Sequence, residues 1–246
     1  MPQLATNGIH VEYDTFGDEE DRPLLLVMGL GAQMIAWDEA FCEWLAAGGH
    51  HVIRFDNRDI GLSTKFDDAP VPDMAELTVA LREGRRPEVP YSLDDMADDA
   101  VGVLDALGID RAHVCGASLG GMIVQAMAIR HPQRLRSLTS IMSTTGNPDV
   151  PPATPEAMAA LTSPVPSDLE GYLQRSLDVA RAIGSSGFEL DEARVRERAR
   201  RAFERSVYPL GSARQMAAVV AHGNRGPALE ALETPADALG GFTICR

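Results

Sequence analysis

The chain opens with two short runs in which apolar and polar residues alternate, "QLAT" at 3–6 and "IHVEYDTFG" at 9–17, on either side of Asn7-Gly8. That dipeptide readily supplies the two positive φ angles of a tight turn, so an antiparallel hairpin is predicted. Beyond it the period changes. Continuous apolar runs, "PLLLVMG", "HVIRF", "AHVCG" and "LRSLTSIM", alternate with stretches of helical spacing at 37–47, 92–107 and 119–130. A strand that is apolar throughout needs cover on both faces, and the intervening helices supply it. The expected core is α/β: a mostly parallel sheet with helices on both faces. The helix after "YS" has clear ends, with Ser92 as N-cap, Asp95 placed to reach back to the cap, and Gly108 closing it.

From about Gly146 the pattern changes again. "TTGNPDVPPATPEAM" is rich in proline and threonine and reads as a linker. The segments 167–183, 191–206 and 212–222 have helical spacing without strand-like alternation, so an inserted helical cap is expected rather than more sheet. The organisation that follows is a core over 1–146, a cap over 147–230 and a last core segment over 231–246. In "DEARVRERARRAFERS" acidic residues precede basic ones, which suits the helix dipole, and the basic run reads as a solvated face.

Composition narrows the partners. The chain has 246 residues, 45% hydrophobic, enough for one large domain. A net charge of −14, from 36 acidic and 22 basic residues, would repel phosphates, so neither nucleic acid nor an anionic membrane is expected as partner. The first residues lack a basic segment followed by an apolar one, and the longest apolar stretch, "LLLVMGLGAQMIAW", is short and broken by glycine. A cytoplasmic protein is expected. Cys42, Cys115 and Cys245 form no CxxC pair, there is no HExxH or GKS/T loop, and "GLGAQM" lacks the third glycine of a dinucleotide fingerprint. Neither a metal nor a cofactor is expected, and oligomeric state is left open.

One stretch carries chemistry. In "VCGASLGGM", Ser118 stands between Gly116 and Gly120, after an apolar strand and before a long apolar helix. A nucleophile on such an elbow needs a strained backbone, and glycines two positions away remove side chains that would collide with strand and helix. The N–H groups at the helix start, that of Leu119 among them, then point toward a developing oxyanion.

At these residues the chain resembles the α/β-hydrolase superfamily, in its cofactor-free esterase and acyl-hydrolase branch. "GASLGG" is similar to the nucleophile elbow, "LLLVMGLGAQMIAW" to the strand and loop that supply a second oxyanion donor, and "VIRFDNRDIGLST" to a D-x-R-x-x-G-x-S stretch. The resemblance covers roughly residues 1–146, and among narrower groups it is similar to small-ester hydrolases such as the anthracycline methyl esterases. It implies Ser118 as nucleophile, the N–H groups of Leu30 and Leu119 as oxyanion hole, and a small ester or acyl compound as substrate. Met28-Gly29 stands where the family has His-Gly. Asp56, Arg58 and Ser63 are expected to tie down their loop.

A serine hydroxyl needs a histidine to take its proton and a carboxylate to orient that histidine, in the family's order Ser, acid, His. Of His10, His50, His51, His113, His131 and His222, none has that setting, and His222 is expected to end a helix. "ALETPA" at 231–236 resembles the lead-in to a seventh strand, yet "DALGGFTICR" follows, in which Asp237 comes too early to be the acid. The expectation is an incomplete copy: acid and base unassigned, the last strands missing, and "LRSLTSIM" left as an exposed edge. Two readings stay open, a serine hydrolase of the family and an inactive homologue that only binds.

Overall fold

The computed structural model describes residues 2–85, 87–151, 153–185 and 187–239. Asn7 and Gly8 both adopt positive φ, 44° and 77°, and join β1 (Gln3–Thr6) to β2 (Ile9–Phe16) as the expected antiparallel hairpin. β3 (Arg22–Val27), β4 (His50–Phe55), β5 (Ala112–Ala117) and β6 (Leu135–Ile141) run parallel. With β7 (Ala236–Leu239) they form a mostly parallel sheet in the order β1-β2-β4-β3-β5-β6-β7 among the described residues.

Alternate residues of the buried strands serve opposite faces, as the period of two requires. Leu25, Val27, Ile53, Phe55 and Val114 pack against α3 (Leu93–Ala106) and α4 (Leu119–Arg130). Leu26 and Val52 turn the other way, toward Trp37 and Cys42 beside and within α1 (Glu39–Ala47). α3 starts at the predicted capping box, where Ser92 and Asp95 each bond the other's backbone N–H. α2 (Met74–Arg82) precedes it.

After β6 come α5 (Pro155–Thr162), α6 (Leu169–Ile183), α7 (Glu192–Arg205), α8 (Pro209–His222) and the short α9 (Gly226–Glu230). Three expectations need correction. The stretch read as linker contains α5, because Thr154 caps it and Pro155 takes the first turn, where a missing N–H costs nothing. The helix expected at 37–47 starts only at Glu39, as α1, because Asp38 caps it, and a 3₁₀ turn over Met34–Ala36 precedes it. β6 is also not the sheet's edge. Ala236–Leu239 pairs parallel with it, Thr139 opposite Asp237, so a seventh strand is present although its four residues are exposed. The glycines that follow it in the sequence lie outside the described residues.

Ion pairs join α7 to the start of α1. Arg194 meets Asp38 at 3.0 Å, and Arg201 Nη1 donates to Glu39 Oε2 at 3.0 Å. The bonded Arg201 guanidinium holds the Glu39 carboxyl down at about 2. A carboxyl depressed by folding stabilises fully above its unfolded value, about 4.3, and that contribution is lost as pH falls toward the folded one. Glu39→Gln is therefore predicted to lower Tm at pH 7 by the worth of a partly exposed pair, up to about 1 kcal/mol. Thermal melts from pH 7 to 3 should show the gap to wild type shrinking, and a constant gap would contradict the assignment.

Candidate functional site

β5 ends at Ala117 and α4 begins at Leu119, so Ser118 alone makes the turn. Its backbone has φ 54° and ψ −118°, a conformation that costs a non-glycine residue about 1–3 kcal/mol. Its N–H donates to Ile141 O at 2.8 Å, which fixes the turn to the end of β6. The two flanking glycines are sterically required. A Cβ on Gly116 would lie 2.1 Å from Gly120 O, and one on Gly120 would lie 2.1 Å from Val27 O. Ser118 remains half-buried, and among the described residues its Oγ makes no hydrogen bond.

The loop after β3 comes up beside it. A Cβ on Gly29 would stand 3.1 Å from Ser118 Cβ and 3.6 Å from its Oγ, so the Gly29–Leu30 peptide begins against the serine. Leu119 is buried at the head of α4, and Leu30 is half-buried. Among the described residues neither the Leu30 N–H nor the Leu119 N–H donates a hydrogen bond within the chain. The structure thus brings Ser118, Leu119, Gly116 and Gly120 into one turn and sets Leu30 next to them.

Side chains from distant segments hold the Leu30 loop. Gly31, at φ 65°, donates its N–H to Gln215 Oε1 at 3.0 Å, and Gln215 Nε2 donates to Arg58 O at 3.0 Å. Asn57 Nδ2 donates to Met28 O at 2.8 Å, and Asp56 Oδ1 accepts Met34 N–H at 2.7 Å. The other Asp56 oxygen pairs with Arg205 at 2.6 Å, and Arg205 also reaches Gln33 Oε1 at 2.7 Å. Arg58 and Arg214 form buried pairs with Asp99 and Asp59, each at 2.6 Å, and Ser63 Oγ donates to Asp56 O at 2.6 Å. Sequence reasoning found Asp56, Arg58 and Ser63. It missed Gln33, Arg205, Arg214 and Gln215, whose partners lie more than 140 residues away in sequence.

A cavity of about 730 Å³ adjoins this loop. Leu30, Gly31, Ile60 and Met74 supply one side, and residues of α5, α6 and α8, among them Leu161, Tyr172, Arg175 and Met216, supply the other. Ser118 is not part of the wall; the cavity reaches the site through Leu30 and Gly31.

Among the described residues no histidine bonds to Ser118. His10 is exposed on β2 and His51 is buried on β4. The His50 and His113 rings meet edge to face at 6.2 Å, and His113 Nδ1 lies 2.8 Å from Ser137 Oγ at the far end of β5. Burial keeps the His113 pKa below its ordinary value. His131 bonds Asp98 at 2.7 Å. His222 does end a helix, with Nε2 3.1 Å from Asp94 Oδ1 and Nδ1 3.4 Å from Arg225 Nη1. Asp237 is the second residue of β7 rather than its last. Among the described residues no His, Cys, Asp or Glu cluster could hold a metal ion, and no helix is long and apolar enough to cross a membrane.

The profile of the alpha/beta hydrolase fold matches residues 22–225. The chain belongs to that family. It is 34% identical over 203 residues to the rhodomycin D methylesterase DauP of Streptomyces sp. (strain C5), covering 74% of this chain and 62% of that one. To the rhodomycin D methylesterase DnrP of Streptomyces peucetius it is 34% identical over 221 residues, 80% of this chain and 68% of that one. The chain thus spans about two thirds of the length of these relatives. The enol-lactonase of Burkholderia xenovorans LB400 shares the fold, with a TM-score of 0.67, 23% identity, and coverage of 96% of this chain and 80% of that one.

The glycine contacts yield a direct test of the turn. The Gly120 obstacle is backbone oxygen, which cannot rotate aside, so Gly120→Ala should destabilise by about 1–3 kcal/mol, in the range of overpacked cores. Differential scanning calorimetry would detect it as a lower Tm. An unchanged Tm would mean that α4 does not press on β3 as described.

Proposed function

We propose that this chain carries the acyl-transfer site of an ester hydrolase, with Ser118 as the nucleophile. Ser118 Oγ adds to the carbonyl carbon, the carbonyl oxygen takes the charge, and the N–H groups of Leu30 and Leu119 stabilise it. The proton of the Ser118 hydroxyl passes to solvent as the oxygen adds, solvent returns one to the leaving oxygen as the adduct collapses, and the alcohol departs, so that a Ser118 acyl ester remains for water to cleave. The observation that carries this reading is a serine forced to positive φ beside two N–H donors that no group of the described chain uses. Donors fixed in advance where charge develops are worth about 3–4 kcal/mol each in comparable sites.

On the same reading, α5 to α8 act as a cap over a core formed by 1–146, and the cavity under them takes the apolar part of the substrate. A volume of about 730 Å³ suits a compound of drug size. The 34% likeness to two rhodomycin D methylesterases supports the methyl ester of a bulky acid as substrate class. The engagement of His222 with Asp94 and Arg225 favours a second reading, binding without turnover, because a serine without a base is a weak nucleophile.

An activated ester separates the two. p-Nitrophenolate departs without a proton donor, so p-nitrophenyl butyrate needs no general acid; at about pH 9 hydroxide can take the serine proton in place of a histidine, and a slow second step traps the intermediate. Intact-mass spectrometry and peptide mapping are expected to place one butyryl group on Ser118, absent in Ser118→Ala. No adduct, or one that survives the substitution, would refute the nucleophile.

A further inference from the structure

The cavity is apolar over most of its wall, and α6 interrupts it with two polar side chains one turn apart. Tyr172 and Arg175 both face it. Among the described residues the Tyr172 hydroxyl makes no hydrogen bond, and burial pushes its pKa up, so it stays a neutral donor. Arg175 donates through Nε to Ser163 O at 3.2 Å and through Nη2 to Leu161 O at 3.3 Å. Those carbonyls close α5, a role a lone arginine could fill by itself. Two features go beyond it. Nη1 has no acceptor, and no carboxylate pairs with Arg175 among the described residues.

That lack stands out in a chain with 36 acidic and 22 basic residues. The buried Arg58 and Arg214 and the half-buried Arg205 each meet a carboxylate, and the buried Arg225, which has no ion pair among the described residues, donates instead to Gln125 Oε1 and the Gly223 and Thr144 carbonyls. Asp178, one turn beyond Arg175, is bonded instead to Gln174 at 2.9 Å and to Arg181 at 3.4 Å. A guanidinium at an apolar wall loses hydration without gaining a counter-ion, which leaves it ready for an anion brought by a ligand.

We propose that Tyr172 and Arg175 form a carboxylate subsite on the cavity wall, so that the preferred ligand is an apolar ester bearing a carboxylate remote from the scissile group. This rests on the reading of the cavity as the place of the substrate's apolar part. The Arg175 fork takes the carboxylate, the Tyr172 hydroxyl adds a third donor, and the apolar wall takes the chain between carboxylate and ester.

Titration calorimetry on Ser118→Ala, which cannot turn a ligand over through that serine, tests the subsite. The probes are monomethyl dodecanedioate, an ester with a free carboxylate, and its neutral dimethyl ester. The monoacid should bind about ten- to a hundredfold more tightly, the range for hydrogen bonds to a charged group. Adding Arg175→Gln should bring the monoacid to the level of the diester and leave diester affinity unchanged. Tyr172→Phe, which removes only a hydroxyl, should give a smaller loss in the same direction. Equal affinity for both probes, no binding of the monoacid, or an Arg175→Gln loss shared by both probes would overturn the subsite; the last would mark a purely structural arginine. Failure of Ser118 acylation with this selectivity intact would strike the nucleophile alone.

Discussion

The first turn of α4 is pressed against the backbone of two strands, and the arrangement of the site depends on that contact. Gly120 meets Val27 O with no room for a Cβ, and Gly116 meets the same turn from β5. A helix that starts so close to the strand feeding it leaves one residue to reverse the chain, and that residue is Ser118. Its positive φ follows from the packing rather than from any preference of serine. The strain is offset by the sheet and by the buried helix, whose apolar residues belong to the main core. The same contact exposes the Leu119 N–H at the head of the helix, because a first-turn N–H has no partner within its own helix.

The second oxyanion candidate is held differently. Leu30 lies on a loop, and its position depends on side chains that arrive from α7 and α8: Arg205 through Asp56 and Gln33, and Gln215 through Gly31. α8, which supplies part of the far wall of the cavity, is thus bonded to the loop beside Ser118, and so is α7. Displacing them would move Leu30, whereas Leu119 would stay with the sheet. The two donors are held for different structural reasons, one built on the core and the other tied to it by buried polar contacts from distant segments.

What could be read from the sequence was what local chemistry dictates. Asn7-Gly8, the Ser92 capping box and the elbow glycines each act within a few residues, and each is found where expected. α5 was hidden because threonine and proline mark loops as readily as helix starts. β7 was missed because "ADAL" has no apolar run; its pairing with β6, not its own propensity, makes it a strand. The ties of Gln33, Arg205 and Gln215 had no local signature at all, since an amide or guanidinium in a helical pattern reads as surface. For the candidate site, the glycine-flanked turn at Ser118 was legible and the support of its neighbouring loop was not.

The central claim is that Ser118 and the two N–H groups beside it form one oxyanion site. A crystal structure of the chain after reaction with a p-nitrophenyl alkylphosphonate tests it most directly, because phosphorus then occupies the place of the tetrahedral carbon. The account predicts phosphorus bonded to Ser118 Oγ, with the phosphoryl oxygen about 2.7–3.1 Å from the N atoms of both Leu30 and Leu119. Unmodified Ser118, or a phosphoryl oxygen turned away from either N–H, would contradict it.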